Sequence, residues 1–133
     1  MVRVKRALVI DDDAAIRILV TRILARYEFS VDSAADGAEG IELMRDNEYD
    51  VIVLDLMMPR IDGFGVVKFL SEHDPEKLQR VIVMTAYGSG VQQKVCPPVG
   101  RFIHKPFEIS TLLAYAAQCG AAGGENREGS SGC

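Results

Sequence analysis

The sequence predicts an α/β domain built on a doubly wound parallel sheet. Two observations carry that prediction. Short, uninterrupted apolar runs recur at Ala7-Leu8-Val9-Ile10, Val51-Ile52-Val53-Leu54 and Val81-Ile82-Val83-Met84. Such runs are too short to cross a membrane and too continuous for strands wetted on one face, so they fit strands buried on both faces. Between them lie stretches with apolar residues at helical spacing, joined by short connections. Strands alternating with helices close as a parallel sheet with right-handed crossovers.

Taken in order, Ala7 to Ile10 is a strand that ends in acid, at Asp11, Asp12 and Asp13. From Ala14 to Arg26 the apolar positions Ile16, Leu19, Val20, Ile23 and Leu24 follow the i, i+3, i+4, i+7, i+8 stripe of an amphipathic helix, with Arg17, Arg22 and Arg26 as its solvated face. Phe29 to Ala34 reads as a second strand, and Asp36 with Glu39 as a capping box for a helix to about Arg45. Asp50 to Asp55 is the central strand. Pro59 stops that extended segment, and Asp62-Gly63 supplies a turn and a helix N-cap. A helix then runs from Gly63 to Ser71, with Val66, Val67 and Leu70 on its inner face, and His73-Asp74-Pro75 ends it. Arg80 to Thr85 is the fourth strand, finishing in a hydroxyl. Arg101 to His104 is the fifth, followed by Lys105-Pro106. Ile109, Leu112, Leu113 and Ala116 mark a last helix. After Gln118 the composition turns to Gly, Ala, Ser and Glu, which cannot bury enough apolar area to order itself. The expected organisation is one domain over residues 1–118 and a flexible tail or linker remnant over 119–133.

Composition bounds the function. A chain of 133 residues, 48% hydrophobic and 26% charged, is large enough to bury a core without staples. A net charge of −4 and an isoelectric point near 5.1, with no basic stripe, argue against direct nucleic-acid binding or an anionic membrane surface. No apolar stretch reaches the roughly 20 residues of a membrane helix, and the expected compartment is the cytoplasm. Cys96, Cys119 and Cys133 are odd in number and show neither metal-ligand spacing nor a CxxC pair, so they read as reduced, incidental thiols.

Parallel strands bring Asp11, Asp12, Asp55, Thr85 and Lys105 to one edge of the sheet, the carboxyl edge where open α/β sheets hold their ligands. Clustered carboxylates repel one another, so they need a cation or must take up protons. Oxygen donors without His or Cys favour a hard ion, and a few carboxylates plus water suit Mg²⁺ better than a Ca²⁺ cage. A carboxylate beside such an ion and a fixed ammonium can accept a phosphoryl group as an acyl phosphate. Asp55 fits as nucleophile, Lys105 as cation and Thr85 as hydroxyl donor.

At these residues the chain resembles the receiver domain of two-component response regulators, over about residues 4 to 118. The marks are Val9-Ile10-Asp11-Asp12-Asp13, Asp55-Leu56-Met57-Met58-Pro59 with Asp62-Gly63, Thr85-Ala86 and Lys105-Pro106-Phe107. Each is weak alone; their order and spacing together are specific. The resemblance implies a flavodoxin-like, three-layer fold with strand order 2-1-3-4-5. It implies Asp55 as phosphoacceptor, charged by a histidine kinase or phosphotransfer protein. It implies Mg²⁺ (or Mn²⁺) held by Asp11, Asp12, Asp55 and the main-chain carbonyl of Met57. Thr85 and Lys105 are then phosphoryl contacts, Thr85 with Phe102 the switch, and Lys105-Pro106 a cis bond. The output is a downstream protein or effector domain, reached by a monomer or a phosphorylation-dependent dimer. No enzyme activity is expected beyond self-phosphorylation from phosphodonors and slow autodephosphorylation.

Two rivals stand beside this. A Mg²⁺-dependent phosphohydrolase with an aspartyl nucleophile needs a second carboxylate nearby, where Leu56 and Met57 stand, and a cap-sized insertion that the chain lacks. A phosphorylation-independent interaction module does not explain five intact functional positions. Taken singly, Asp13 reads as an exposed acid or N-cap, His73 and His104 as solvated, and Met57, Met58 and Met84 as core or gap-filling residues. Met57 and Tyr87 predict a long-lived aspartyl phosphate. Glycines at 88 and 90 and prolines at 97 and 98 predict a short, distorted or mobile helix over residues 88 to 99.

Overall fold

The computed structural model describes residues 4–58, 61–86 and 101–121. Five strands, β1 (Lys5–Ile10), β2 (Phe29–Ala34), β3 (Val51–Leu54), β4 (Val81–Thr85) and β5 (Arg101–His104), form one sheet in the order β2-β1-β3-β4-β5. Every pairing is parallel. That is the expected order. The register sets Ile10 opposite Leu54, so the next residues, Asp11 and Asp55, emerge side by side from the two central strands. The ladder continues one step beyond the strands: the Asp55 amide donates to the Ile10 carbonyl at 3.0 Å and the Asp11 amide to that of Ala34 at 3.1 Å.

Side-chain alternation along these buried strands builds two cores. Leu8, Ile10, Ile52, Leu54, Val81 and Val83 face one side, under α2 (Gly37–Asp46) and α3 (Gly63–His73). Ala7, Val9, Val51, Val53, Ile82, Met84 and Ile103 face the other, under α1 (Ala14–Arg26) and α4 (Ile109–Ala121). Three layers result. Among the described residues no helix is long and apolar enough to cross a membrane.

Several local expectations change. In α1 the buried stripe is Val20, Ile23 and Leu24 with Ile16 half-buried, whereas Leu19 is 44% exposed. Its neighbour Val20 takes the sheet-facing position, and a turn of about 100° per residue carries Leu19 to the rim. The capping box at α2 is offset: Asp36 accepts from the Glu39 amide at 2.9 Å, but the Glu39 carboxylate accepts from Ala35, one residue before the cap. Helix α3 runs two residues further than Ser71, to His73. A 3₁₀ segment, Pro75–Arg80, comes next with Pro75 opening it, where a missing N–H costs nothing.

Helix α4 extends to Ala121, past the change of composition at Gln118, because Cys119 is packed in the core beside Leu112 and Ala116. Cys119 is a buried free thiol. Asp13 caps α1, accepting from the amides of Ala15 at 3.0 Å and Ile16 at 3.3 Å. His73 and His104 are exposed, as expected, although the His73 ring also stacks on Phe69 at 4.4 Å. Met84 is buried and Met58 lies against the core, but Met57 is 53% exposed and fills nothing. The expectations for Pro59, Tyr87, Cys96, Cys133, the helix over 88 to 99 and the tail beyond 121 fall outside the described residues.

Candidate functional site

The carboxyl edge of the sheet gathers the acids. Asp11, Asp12 and Asp55 each offer a carboxylate oxygen within 4.8 Å of the others. Asp11 and Asp55 are buried and Asp12 is exposed, so the cluster opens to solvent on one side. Asp11 is held at both ends of its carboxylate: Oδ1 accepts from the Asp13 amide at 2.9 Å and Oδ2 from Lys105 Nζ at 3.0 Å. Lys105 also reaches Asp55 Oδ1, at 3.7 Å, and the Met57 amide donates to the same oxygen at 3.4 Å. Lys105 stands at the end of β5, its amide bonded to the Thr85 carbonyl at 2.9 Å, and the Lys105-Pro106 bond is cis as expected. Thr85 is fully buried at the end of β4. Phe102 is half-buried against the core that holds Val81 and Val83.

Behind the end of β3, the amide of Gly63 donates to the Leu56 carbonyl at 3.1 Å, and Asp62 caps α3 by accepting from Gly65 at 3.0 Å. A Cβ at Gly63 would lie 2.5 Å from the Asp55 carbonyl oxygen and 2.6 Å from Leu56 Cα. Space, rather than backbone conformation, makes this position glycine. The same loop is tied to α2, where the Gly37 amide donates to the Ile61 carbonyl at 2.9 Å and a Cβ would collide with that oxygen.

Two buried like charges and a third beside them face one ammonium, leaving uncompensated negative charge. Burial, and next to it Asp11, push the Asp55 carboxyl up from 3.8 to about 6; Lys105 and the Met57 amide oppose this, and Asp12 adds a little to it. Oxygen donors alone with excess negative charge suit a hard dication, and the cluster fits Mg²⁺ on that chemistry.

A pH dependence is expected for the metal-free protein. Because the folded value lies above the unfolded one, the native state keeps a proton between about pH 4 and 6 that the unfolded chain has lost. The Asp55 contribution to stability therefore falls as pH rises through that window, by on the order of 3 kcal/mol in full. Urea midpoints in chelator at pH 4.5 and 7.5 check this. Asp55→Asn is expected to be more stable than wild type at pH 7.5 and to lose most of that advantage at pH 4.5, and an equal gap at both values would contradict it.

All five sequence-predicted side chains, Asp11, Asp12, Asp55, Thr85 and Lys105, lie at this edge of the sheet. One neighbour escaped the sequence reading. Arg17 is half-buried, and its Nη1 donates to the Asp11 main-chain carbonyl at 2.8 Å, while Arg22 and Arg26 are exposed. A contact six residues back around a helix start leaves no mark in apolar periodicity, which only reports faces.

Residues 7–117 match the response regulator receiver domain. The response regulator MprA of Mycobacterium sp. (strain KMS) is 37% identical over 111 residues, which are 82% of this chain and 47% of that protein. MprA of Mycobacterium avium (strain 104) is 35% identical over the same length, 48% of its own. The chain thus spans about half the length of these relatives. The Francisella response regulator 1452 receiver domain superposes with a TM-score of 0.78 at 28% identity, over 86% of this chain and 95% of that one. Vibrio cholerae chemotaxis protein CheY4 gives 0.78 at 28%, over 88% and 99%. Response regulator protein TrrA from Thermotoga maritima, in complex with Mg²⁺-BeF, gives 0.74 at 27%, over 86% and 98%.

Proposed function

The chain belongs to the response regulator receiver domain family, and on that premise we propose that it is a phosphoacceptor of two-component signalling, taking a phosphoryl group onto Asp55 from a histidine kinase or phosphotransfer protein. The observation that carries the reading is the bridging of Asp11 and Asp55 by Lys105 beside Asp12. Asp11, Asp12, Asp55 and the Met57 carbonyl would hold Mg²⁺, which supplies neutralisation of phosphoryl charge when bound. The complex of response regulator protein TrrA with Mg²⁺-BeF supports that assignment.

The chain's own groups account for the rest. An Asp55 carboxylate oxygen attacks phosphorus, an O–P bond forms, and the bond from phosphorus to the donor's nitrogen or oxygen breaks, its electron pair leaving with the donor. The Lys105 ammonium, tethered by Asp11, is within reach of an oxygen on the new group. The Thr85 hydroxyl, at the neighbouring strand end, donates to another. Engagement of Thr85 would be relayed to Phe102, two residues short of His104, Thr85's partner in the β4–β5 register, and from there to a downstream protein or effector domain. Leu56 and Met57 offer no second acid for phosphohydrolase chemistry.

Incubating the chain with a small phosphodonor and Mg²⁺ is expected to add one phosphoryl group by intact mass, and a chelator to prevent it. No mass gain at saturating Mg²⁺ would defeat the reading. A second expectation concerns lifetime. Met57, two residues after Asp55, is exposed and has no carboxamide or carboxylate to orient water, so the acyl phosphate is long-lived. Met57→Asn should speed phosphate loss on the order of tenfold, as a placed carboxamide aligns the attacking water; an unchanged decay rate counts against it.

A further inference from the structure

We propose that Arg17 is a positioning residue for the acid cluster, holding the Asp11–Asp12 peptide through its hydrogen bond to the Asp11 carbonyl at 2.8 Å. This rests on the reading of Asp11, Asp12 and Asp55 as Mg²⁺ ligands. The Asp11 carboxylate already has two partners, the Asp13 amide and Lys105. Asp12 is exposed and depends on its backbone for direction. The carbonyl that Arg17 grips belongs to the planar unit leading into Asp12, so fixing that plane fixes where the Asp12 Cα–Cβ bond starts. On the other side, Asp13 is locked as the N-cap of α1. Asp12 is thus suspended between two anchored peptides, one of them held by a side chain from the same helix whose first turn Asp13 caps. Arg17 is half-buried, unlike the exposed Arg22 and Arg26.

The sign of the effect separates this role from simple charge. A cation this near an acid cluster repels a dication, so on charge alone its removal would tighten metal binding. Loss of an outer partner that orients a ligand acts in the opposite direction, typically by 10- to 100-fold.

The test is Mg²⁺ affinity of the unphosphorylated chain, without phosphodonor, by calorimetry or by following the Asp12 and Asp13 amides in an NMR titration. Arg17→Gln is expected to weaken Mg²⁺ binding by about tenfold, Arg17→Lys to weaken it less, and Arg22→Gln to leave it as in wild type. Arg17→Lys serves as the milder variant should the Gln protein fail to fold, with the same direction expected. Equal or tighter binding in the Arg17 variants overturns the positioning role while leaving the proposed function standing. Wild-type protein that binds no Mg²⁺ overturns both, and wild-type protein that binds Mg²⁺ but takes up no phosphoryl group overturns the proposed function alone.

Discussion

Asn in place of Asp55 is expected to abolish phosphoryl incorporation, by at least about a thousandfold, the scale on which loss of a nucleophile acts. The carboxamide keeps the shape of the side chain but its oxygen lacks the charge that attacks phosphorus. Neighbouring acids do not substitute. Asp11 has both oxygens engaged, by the Asp13 amide and Lys105, and Asp12 lies on the exposed rim. The same substitution removes one of the like charges around Lys105, so the metal-free protein should fold more stably even as it loses function. The pairing of gain and loss distinguishes removal of a functional group from damage to the fold. Phosphodonor labelling followed by intact mass is the measurement, and an Asp55→Asn protein labelled to the wild-type level would remove Asp55 as acceptor.

Gly63→Ala is expected to cost about 3 kcal/mol or more and to slow phosphorylation as well. The new methyl group would stand 2.5 Å from the Asp55 carbonyl oxygen and 2.6 Å from Leu56 Cα, both of them backbone atoms of the segment that carries the Asp55 side chain. Backbone cannot swing aside as a side-chain tip can, so the strain moves either α3 or Asp55 itself. A displacement of about 1 Å at a reacting group costs roughly a hundredfold in rate. Gly65→Ala is the control in the same helix. Its Cβ would meet the Ile61 Cγ2 methyl at 2.7 Å, on a partly exposed side chain that can rotate away. Alanine's better helix propensity, worth up to about 1 kcal/mol, offsets much of that cost. Urea midpoints and labelling rates of the two variants check the contrast, and similar losses in both would refute the steric account.

Most of the sheet was legible from local pattern alone. Val51 to Leu54 and Val81 to Met84 are buried on both faces as their unbroken apolar character required, and Ala7 to Ile10 likewise. Even Arg101 to His104, half-exposed at the sheet edge, was marked as a strand by Phe102-Ile103 and bounded by Lys105-Pro106. The acid cluster was legible for the same reason. Once strands are parallel, residues that end them share an edge, and the register of Ile10 with Leu54 makes Asp11 and Asp55 neighbours. Cap positions were legible too, since Asp13, Asp36 and Asp62 act on amides two or three residues away.

The chain order could not convey how side chains resolve once elements pack. Leu19 and Val20 are adjacent apolar residues on one predicted stripe, and only the seating of α1 on the sheet decided that Val20 is buried and Leu19 is not. Met57 looks like core by type and is exposed, because the loop leaving β3 turns it outward while its amide serves Asp55. Arg17 is of the same type as its solvated neighbours Arg22 and Arg26 but folds back onto Asp11. Gly63 reads as half of a turn signal, and only the approach of α3 to the residues that follow β3 shows that the position has no room for a methyl group. Burial periodicity and covalent order act locally, so the strands, their shared edge and the acids placed there follow from the order of residues. Which polar groups hold those acids in place and which apolar ones stay wet depends on distances between elements far apart in the chain, and packing alone settles it.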